Sequence, residues 1–368
     1  MRRTTLSLAI STLTFSLVGC GGFDAASTSP TSNRTRDNHI TVGLLMPETT
    51  NTRFAKFDYP IFKKQIADLT QQHGKVIYAN AAADAAKQKH QMQEMIDSKV
   101  DAIVLDAVDS HSIAGMVKKA KDAEVPVIAY DRLAEGPIDA YISFDNDLVG
   151  EVQARGLLEA LGTKAGPSDK IVMINGSPTD PNSGQFKEGA LSELNGKVTV
   201  AASFDTPDWS PKYAADHMTE AVNSIGKDNI AAVYSANDAM AGGIVRALKK
   251  AGVTEMPPIT GQDADLDAVQ RIVTGEQYMT VYKPYRQEAE NAASMVVAKV
   301  QGFSIQFDSF TRDRVNSPTD KDIPSQMVEV TDLTMHNIKE SVIADGLYTV
   351  SDICTAQYKA ACAAIGLT

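Results

Sequence analysis

Short β-branched runs recur along this 368-residue chain, and nearly every one is followed by a stretch with helical periodicity. ITVGLLM (40–46) leads into a helix expected from about Phe54 to Gln72. KVIYANA leads into AAKQKHQMQEMIDS, where Met92, Met95 and Ile96 repeat on one helical face. DAIVLDAV precedes SIAGMVKKAKDAE, and PVIAYD and AYISFD follow closely. Beyond Asp147 the alternation restarts with LVGEVQARGLLEAL, then KIVMING, SGQFKEGALSEL, VTVAASF, PKYAADHMTEAVNSI, IAAVYSA, AMAGGIVRALKKAG, PPITG and LDAVQRIVTG. A helix between successive strands is the crossover that parallel pairing requires, and it covers a sheet face. About 330 ordered residues exceed one typical core. The expected fold class is therefore α/β, with two doubly wound, mostly parallel-sheet domains joined near residues 143–147.

Open α/β sheets bind ligands beyond the carboxyl ends of their strands. At those ends this sequence places Arg53 and Phe54, Asp131 and Arg132, Asp145 and Asn146, Asn182, Trp209, Asn237 and Asp238, Gln262 and Asp263, and Lys283. Helix capping accounts for some of them, with Asp238, Ser210 and Asp265 the candidates. It does not account for two Arg, a Lys, a Trp and a Phe on one edge, because none of these caps a helix N-terminus. Hydroxyl groups both donate and accept, so a polyhydroxylated neutral ligand uses carboxylates, carboxamides and cations together. The apolar C–H faces of a pyranose fit against aromatic rings, and Trp209, the only Trp, lies in the loop PDWSP. In that loop Ser210 is placed as an N-cap and Pro211 at the first helical position.

The remaining segments give an address. Residues 1–19 combine Arg2 and Arg3 with a short apolar run and read as a secretory signal. Leu17-Val18-Gly19-Cys20 resembles a lipobox, which implies a lipidated Cys20 at the mature N-terminus. The rest of 20–38, with its TSPTSNRTRDN stretch, reads as a flexible tether to a body facing away from the cytoplasm. Removing Arg2 and Arg3 with the signal takes the formal charge from −11 to −13. An acidic surface of that kind disfavours nucleic acid, and no nucleic-acid partner is expected. Cys354 and Cys362 in the tail, 351–368, fit a disulfide staple better than a metal site outside the cytosol. The six His never fall at metal-ligand spacing, and no phosphate-binding glycine loop occurs, so neither metal nor cofactor is expected. DADLDAVQ starts like a calcium loop but has Ala268 and Thr274 where Gly and an acid are needed.

From about His39 to Leu347 the chain resembles the periplasmic sugar-binding proteins that feed ABC importers. The resemblance rests on AYDR (129–132), YISFDNDLVGEVQA (141–154), INGSPTD (174–180), SANDAMAGG (235–243), ITGQDADL (259–266) and MTVYKP (279–284). It implies a three-segment hinge with the ligand cleft between two lobes, 39–145 plus about 285–327 and 146–284 plus about 328–350. It implies sugar contacts at Arg53, Asp131, Arg132, Asn182, Asn237, Asp263 and Lys283, with Phe54 and Trp209 as stacking walls. It further implies a monomer that hands a monosaccharide, D-xylose first, to permease subunits in the membrane. Phe54 stands where the xylose-binding pattern has Trp, and Asp180-Pro181-Asn182 where it has Asp-Asn-Asn. Glucose, arabinose, ribose or galactose are alternative ligands, and a sugar-sensing receptor component is an alternative role. A glycosidase using Asp131 and Asp263 is the enzymatic alternative. It lacks support from any Ser/His/Asp or Cys/His set.

Overall fold

The computed structural model describes residues 38–368. The expected signal, the lipidated Cys20 and all of the tether except Asn38 lie outside the described residues. Strands β1 (Thr41–Met46), β2 (Lys75–Asn80), β3 (Ala102–Leu105), β4 (Val127–Tyr130) and β5 (Ala140–Phe144) alternate with helices α1 (Tyr59–Leu69), α2 (Ala85–Asp97) and α3 (Ala114–Asp122). After α4 (Asn146–Leu161) come β6 (Lys170–Asn175), α5 (Pro181–Leu194), β7 (Thr199–Asp205), α6 (Pro211–Ile225), β8 (Ala232–Ser235), α7 (Asp238–Lys250), α8 (Leu266–Thr274) and β9 (Thr280–Tyr282). Then α9 (Tyr285–Val300) and α10 (Ser304–Phe310) precede β10 (Asp313–Val315), β11 (Ile323–Val328) and β12 (Thr331–Leu333), and α11 (Val350–Ile353) and α12 (Lys359–Ala364) form the tail.

Seven strands make the first sheet in the order β10-β11-β5-β4-β3-β1-β2, and three make the second in the order β7-β6-β8. All pairs are parallel except β10 with β11 and the small ribbon of β12 with β9. Bridges Val233 to Ile259 and Gln262 to Val281 extend the second sheet towards that ribbon. Strands β3, β4, β5 and β8 are buried at every residue, as strands covered on both faces must be, whereas the edge strand β7 alternates. The chain passes between the sheets after β5, after β9 through α9, and between β11 and β12. Helix α9 packs its Ala289, Ala292 and Val296 with Val42, Val104 and Ile142 of the first sheet.

Three local expectations change. The helix after β1 begins as a single π-turn, Phe54–Asp58, and α1 ends at Leu69, with Gln71 and Gln72 in left-handed backbone. PPITG is not a strand: Pro257 and Pro258 have no N–H for a ladder, and Ile259 contributes one bridge. Asp238 does not cap α7; Asn237 does, through its Oδ1 and the Met240 N–H at 3.0 Å. Asp265 stands at the N-cap of α8 without a side-chain cap bond, while Ser210 caps α6 through the Tyr213 N–H.

The tail packs Ile353, Cys362 and Leu367 against Val269 and Ile272 of α8 and Tyr282 of β9. Gln270 donates to the carbonyls of Asp352 and Ile353. Cys354 and Cys362 form a disulfide across a separation of 8 residues. Closing so short a loop stabilises by about 2 to 3 kcal/mol. The Cys354→Ser, Cys362→Ser double variant is therefore expected to lose about that much in urea unfolding. An unchanged midpoint would mean that apolar contact alone holds the tail.

Candidate functional site

All nine residues that the resemblance implies line one cavity, Arg53, Phe54, Asp131, Arg132, Asn182, Trp209, Asn237, Asp263 and Lys283, and so does Gln262 from the strand-end set, whereas Asp145, Asn146 and Asp238 of that set do not. Glu48, Asn51, Asp180 and Phe186 complete its wall. The gap leaves about 360 Å³ free of protein atoms, open solvent included.

Residues following the first sheet meet residues following the second. Asp131 follows β4 in left-handed backbone, φ 58°, and its carbonyl accepts from the Tyr141 and Ser143 hydroxyls. Asn182, in the first turn of α5, donates to the same carbonyl at 3.0 Å and to Asp131 Oδ1 at 3.1 Å. Arg132 Nε lies 2.8 Å from Asp180 Oδ2, and its Nη1 donates to the Ala107 carbonyl. Asn51 Nδ2 donates to Asp263 Oδ2 at 3.0 Å, while Asn51 Oδ1 accepts the Arg53 N–H, so both ends of the amide are fixed.

Trp209 is 7 % exposed and belongs to the core around the second sheet as well as to the cavity wall. Asp208 and Trp209 both adopt left-handed backbone, φ 55° and 53°, ahead of the Ser210 cap. The indole lies over Gly176, where a Cβ would come within 2.0 Å of it. Its edge meets Phe186 at a centroid distance of 6.2 Å, and its Nε1–H donates to Asp180 Oδ2 at 3.1 Å. Asp180 therefore does three things: it caps α5 through the Asn182 N–H, orients the indole and pairs with Arg132. Its place before Pro181 fits a helix cap so well that nothing in the sequence marks the other two roles.

Each cation of the cavity wall already has an acid. Arg53 Nη1 is 2.7 Å from Asp131 Oδ2, Arg132 pairs with Asp180, and Lys283 Nζ is 3.1 Å from Asp263 Oδ1. Burial alone would raise the Asp131 carboxyl, but Arg53, Lys283 and Arg132 outweigh it and hold that carboxyl below its usual range. Burial works against the charge of Arg132 and Lys283, yet Asp180 and Asp263 lead the acids that raise both. Burial pushes Asp180 up, with Arg132 opposing. With every wall cation neutralised, an anionic ligand gains no counter-charge, whereas hydroxyl groups can bridge the fixed donors and acceptors. Glu48 accepts from the Asn51 N–H and holds the loop after β1; its role is invisible in the sequence because it precedes no capped helix.

A sequence profile of the periplasmic binding protein domain matches residues 42–303. The chain belongs to the periplasmic binding protein family. It is 33 % identical over 320 residues to the D-xylose-binding periplasmic protein of Escherichia coli K12, covering 85 % of this chain and 92 % of that one. A multiple sugar-binding periplasmic protein of Azospirillum brasilense is 31 % identical, with 88 % and 93 % covered. Among solved structures, an ABC transporter solute-binding protein of Clostridium phytofermentans with bound β-D-glucose superposes with a TM-score of 0.77 at 28 % identity, covering 85 % of this chain and 99 % of that one. This binding protein thus shares the two-domain α/β architecture of its family, with its mostly parallel central sheet.

Proposed function

We propose that this binding protein captures a monosaccharide, D-xylose first, by closing two lobes around it and delivers it to an ABC import permease. The observation that carries the reading is the cavity wall itself, where three acid–cation pairs and three aromatic residues converge from both sheets. Phe54 and Trp209 would cover the ring faces, and Arg53, Asp131, Arg132, Asn182, Asn237, Asp263 and Lys283 would bind the hydroxyls. The xylose-binding relative puts D-xylose first, and the glucose-bound structure makes glucose the runner-up. The lobes would comprise 39–145 with about 285–327, and 146–284 with about 328–350, rotating about three crossing segments. A lipidated Cys20 would hold the monomer to the membrane outside the cytoplasm. Binding is favoured over glycoside cleavage because Asp131, kept ionised by Arg53, is a poor general acid.

A thermal-shift panel of xylose, arabinose, ribose, glucose and galactose tests the reading. A ligand bound only by the native state adds RT ln(1 + [L]/Kd), about 2.7 kcal/mol at a hundredfold excess over Kd. The cognate sugar is expected to raise Tm clearly and to change the fluorescence of Trp209, the only Trp. No shift with any of the five would sink the monosaccharide assignment.

A further inference from the structure

Tyr285 and Glu288 lie three residues apart at the start of α9, on the segment that carries the chain from Lys283 back to the first sheet. Neither lines the cavity, and both are buried. Glu288 Oε2 accepts from Arg53 Nη2 at 2.6 Å. Arg53 also donates to Asp58 through Nε at 3.1 Å and Nη2 at 2.9 Å, and to Asp131 through Nη1 at 2.7 Å. Three carboxyl groups thus surround one guanidinium, and Glu288 Oε1 has no hydrogen-bond partner. The Tyr285 ring lies 4.1 Å from the Arg53 guanidinium carbon, and its hydroxyl donates to the Asp263 carbonyl. Asp263 is in left-handed backbone, φ 99°.

We propose that Tyr285 and Glu288 are positioning residues of the ligand site: Glu288 fixes Arg53 and through it Asp131, while Tyr285 ties Arg53 to the backbone of Asp263. The inference rests on the sugar-site reading above. One helical turn in a crossing segment then sets the charged groups of both sheets at once. Burial, with Asp131 and Asp58 adding to it, pushes the Glu288 carboxyl well above the usual range, and Arg53 and Lys283 only partly oppose. Gln keeps the size of Glu288 and an acceptor oxygen for Arg53 Nη2, so it should replace that residue.

Calorimetry with the sugar that gives the largest thermal shift provides the test, alongside urea unfolding of each variant without sugar. Leu fills the space of Glu288 but offers no acceptor. Glu288→Leu is expected to weaken binding about tenfold to a hundredfold, the worth of a hydrogen bond to a charged group, while stability holds or rises. Glu288→Gln should bind within about threefold of the parent, and Tyr285→Phe should bind about tenfold more weakly. In an Asp131→Asn background Glu288→Leu should cost far less, because it acts through Arg53 on Asp131. Glu288→Leu binding within twofold of the parent would overturn the proposal, since packing alone would then suffice. So would Glu288→Gln as weak as Glu288→Leu. Should the leucine variant fail to fold, Tyr285→Phe still decides, because unchanged affinity would sever the link to Asp263. If Asp263→Ala abolishes binding while these variants do nothing, the positioning role falls and the site stands. If no sugar binds the parent, the site reading itself falls.

Discussion

Asp263→Ala is expected to weaken sugar binding about a hundredfold or more while the protein still folds. Asp263 Oδ1 faces Lys283 Nζ at 3.1 Å and Oδ2 accepts from Asn51 at 3.0 Å, so its carboxylate plane is pinned between the two sheets' loops. Removing it deletes a charge-assisted acceptor for a ligand hydroxyl, worth about 1.5–3 kcal/mol, and leaves buried Lys283 without its nearest acid. Asp263→Asn keeps the shape and tolerates left-handed backbone, so it should fall between parent and alanine variant. Unchanged affinity of the alanine variant in calorimetry would remove Asp263 from the site.

Arg53→Met is expected to destabilise the folded protein by about 3–5 kcal/mol, because it strands buried carboxyl groups of Asp58, Asp131 and Glu288. The pH dependence should change as well. In the parent the Asp131 carboxyl is held low, so its contribution is complete above the unfolded value near pH 4 and is lost as pH falls through the lower folded value. Without Arg53, only Lys283 and Arg132 oppose burial, so the folded carboxyl should rise from its parent position. Relative to the parent, the variant should then lose stability as pH rises from about 4 towards neutrality. Urea midpoints of parent and variant between pH 4.5 and 8 check this. Parallel curves would show that Arg53 is not the counter-charge of this cluster.

How far the site is legible depends on where each residue stands. Arg53, Arg132, Lys283 and Trp209 stand out because no local structural need explains them at a strand end. Asp180 hides behind a capping role that it does fill. Asn237 is a cap as well, so its residue type alone does not mark it, and the resemblance is what points to it as a ligand residue. Tyr285 and Glu288 hide in a helix whose small apolar residues read as ordinary packing, and only the fold shows that Arg53 lies against them.

The sequence by itself determined the α/β alternation and the edge at which the chemistry gathers. Both follow from periodicity and strand-end composition, which are local. The tertiary structure decided which acid neutralises which cation: Arg53 meets Asp131 across 78 positions of sequence, and Asn51 meets Asp263 across 212. It also decided that Asp131, Trp209 and Asp263 hold left-handed backbone, a conformation costing about 1 kcal/mol or more at each. No local preference supplies that energy; the packing of two sheets and the bonds between their loops do.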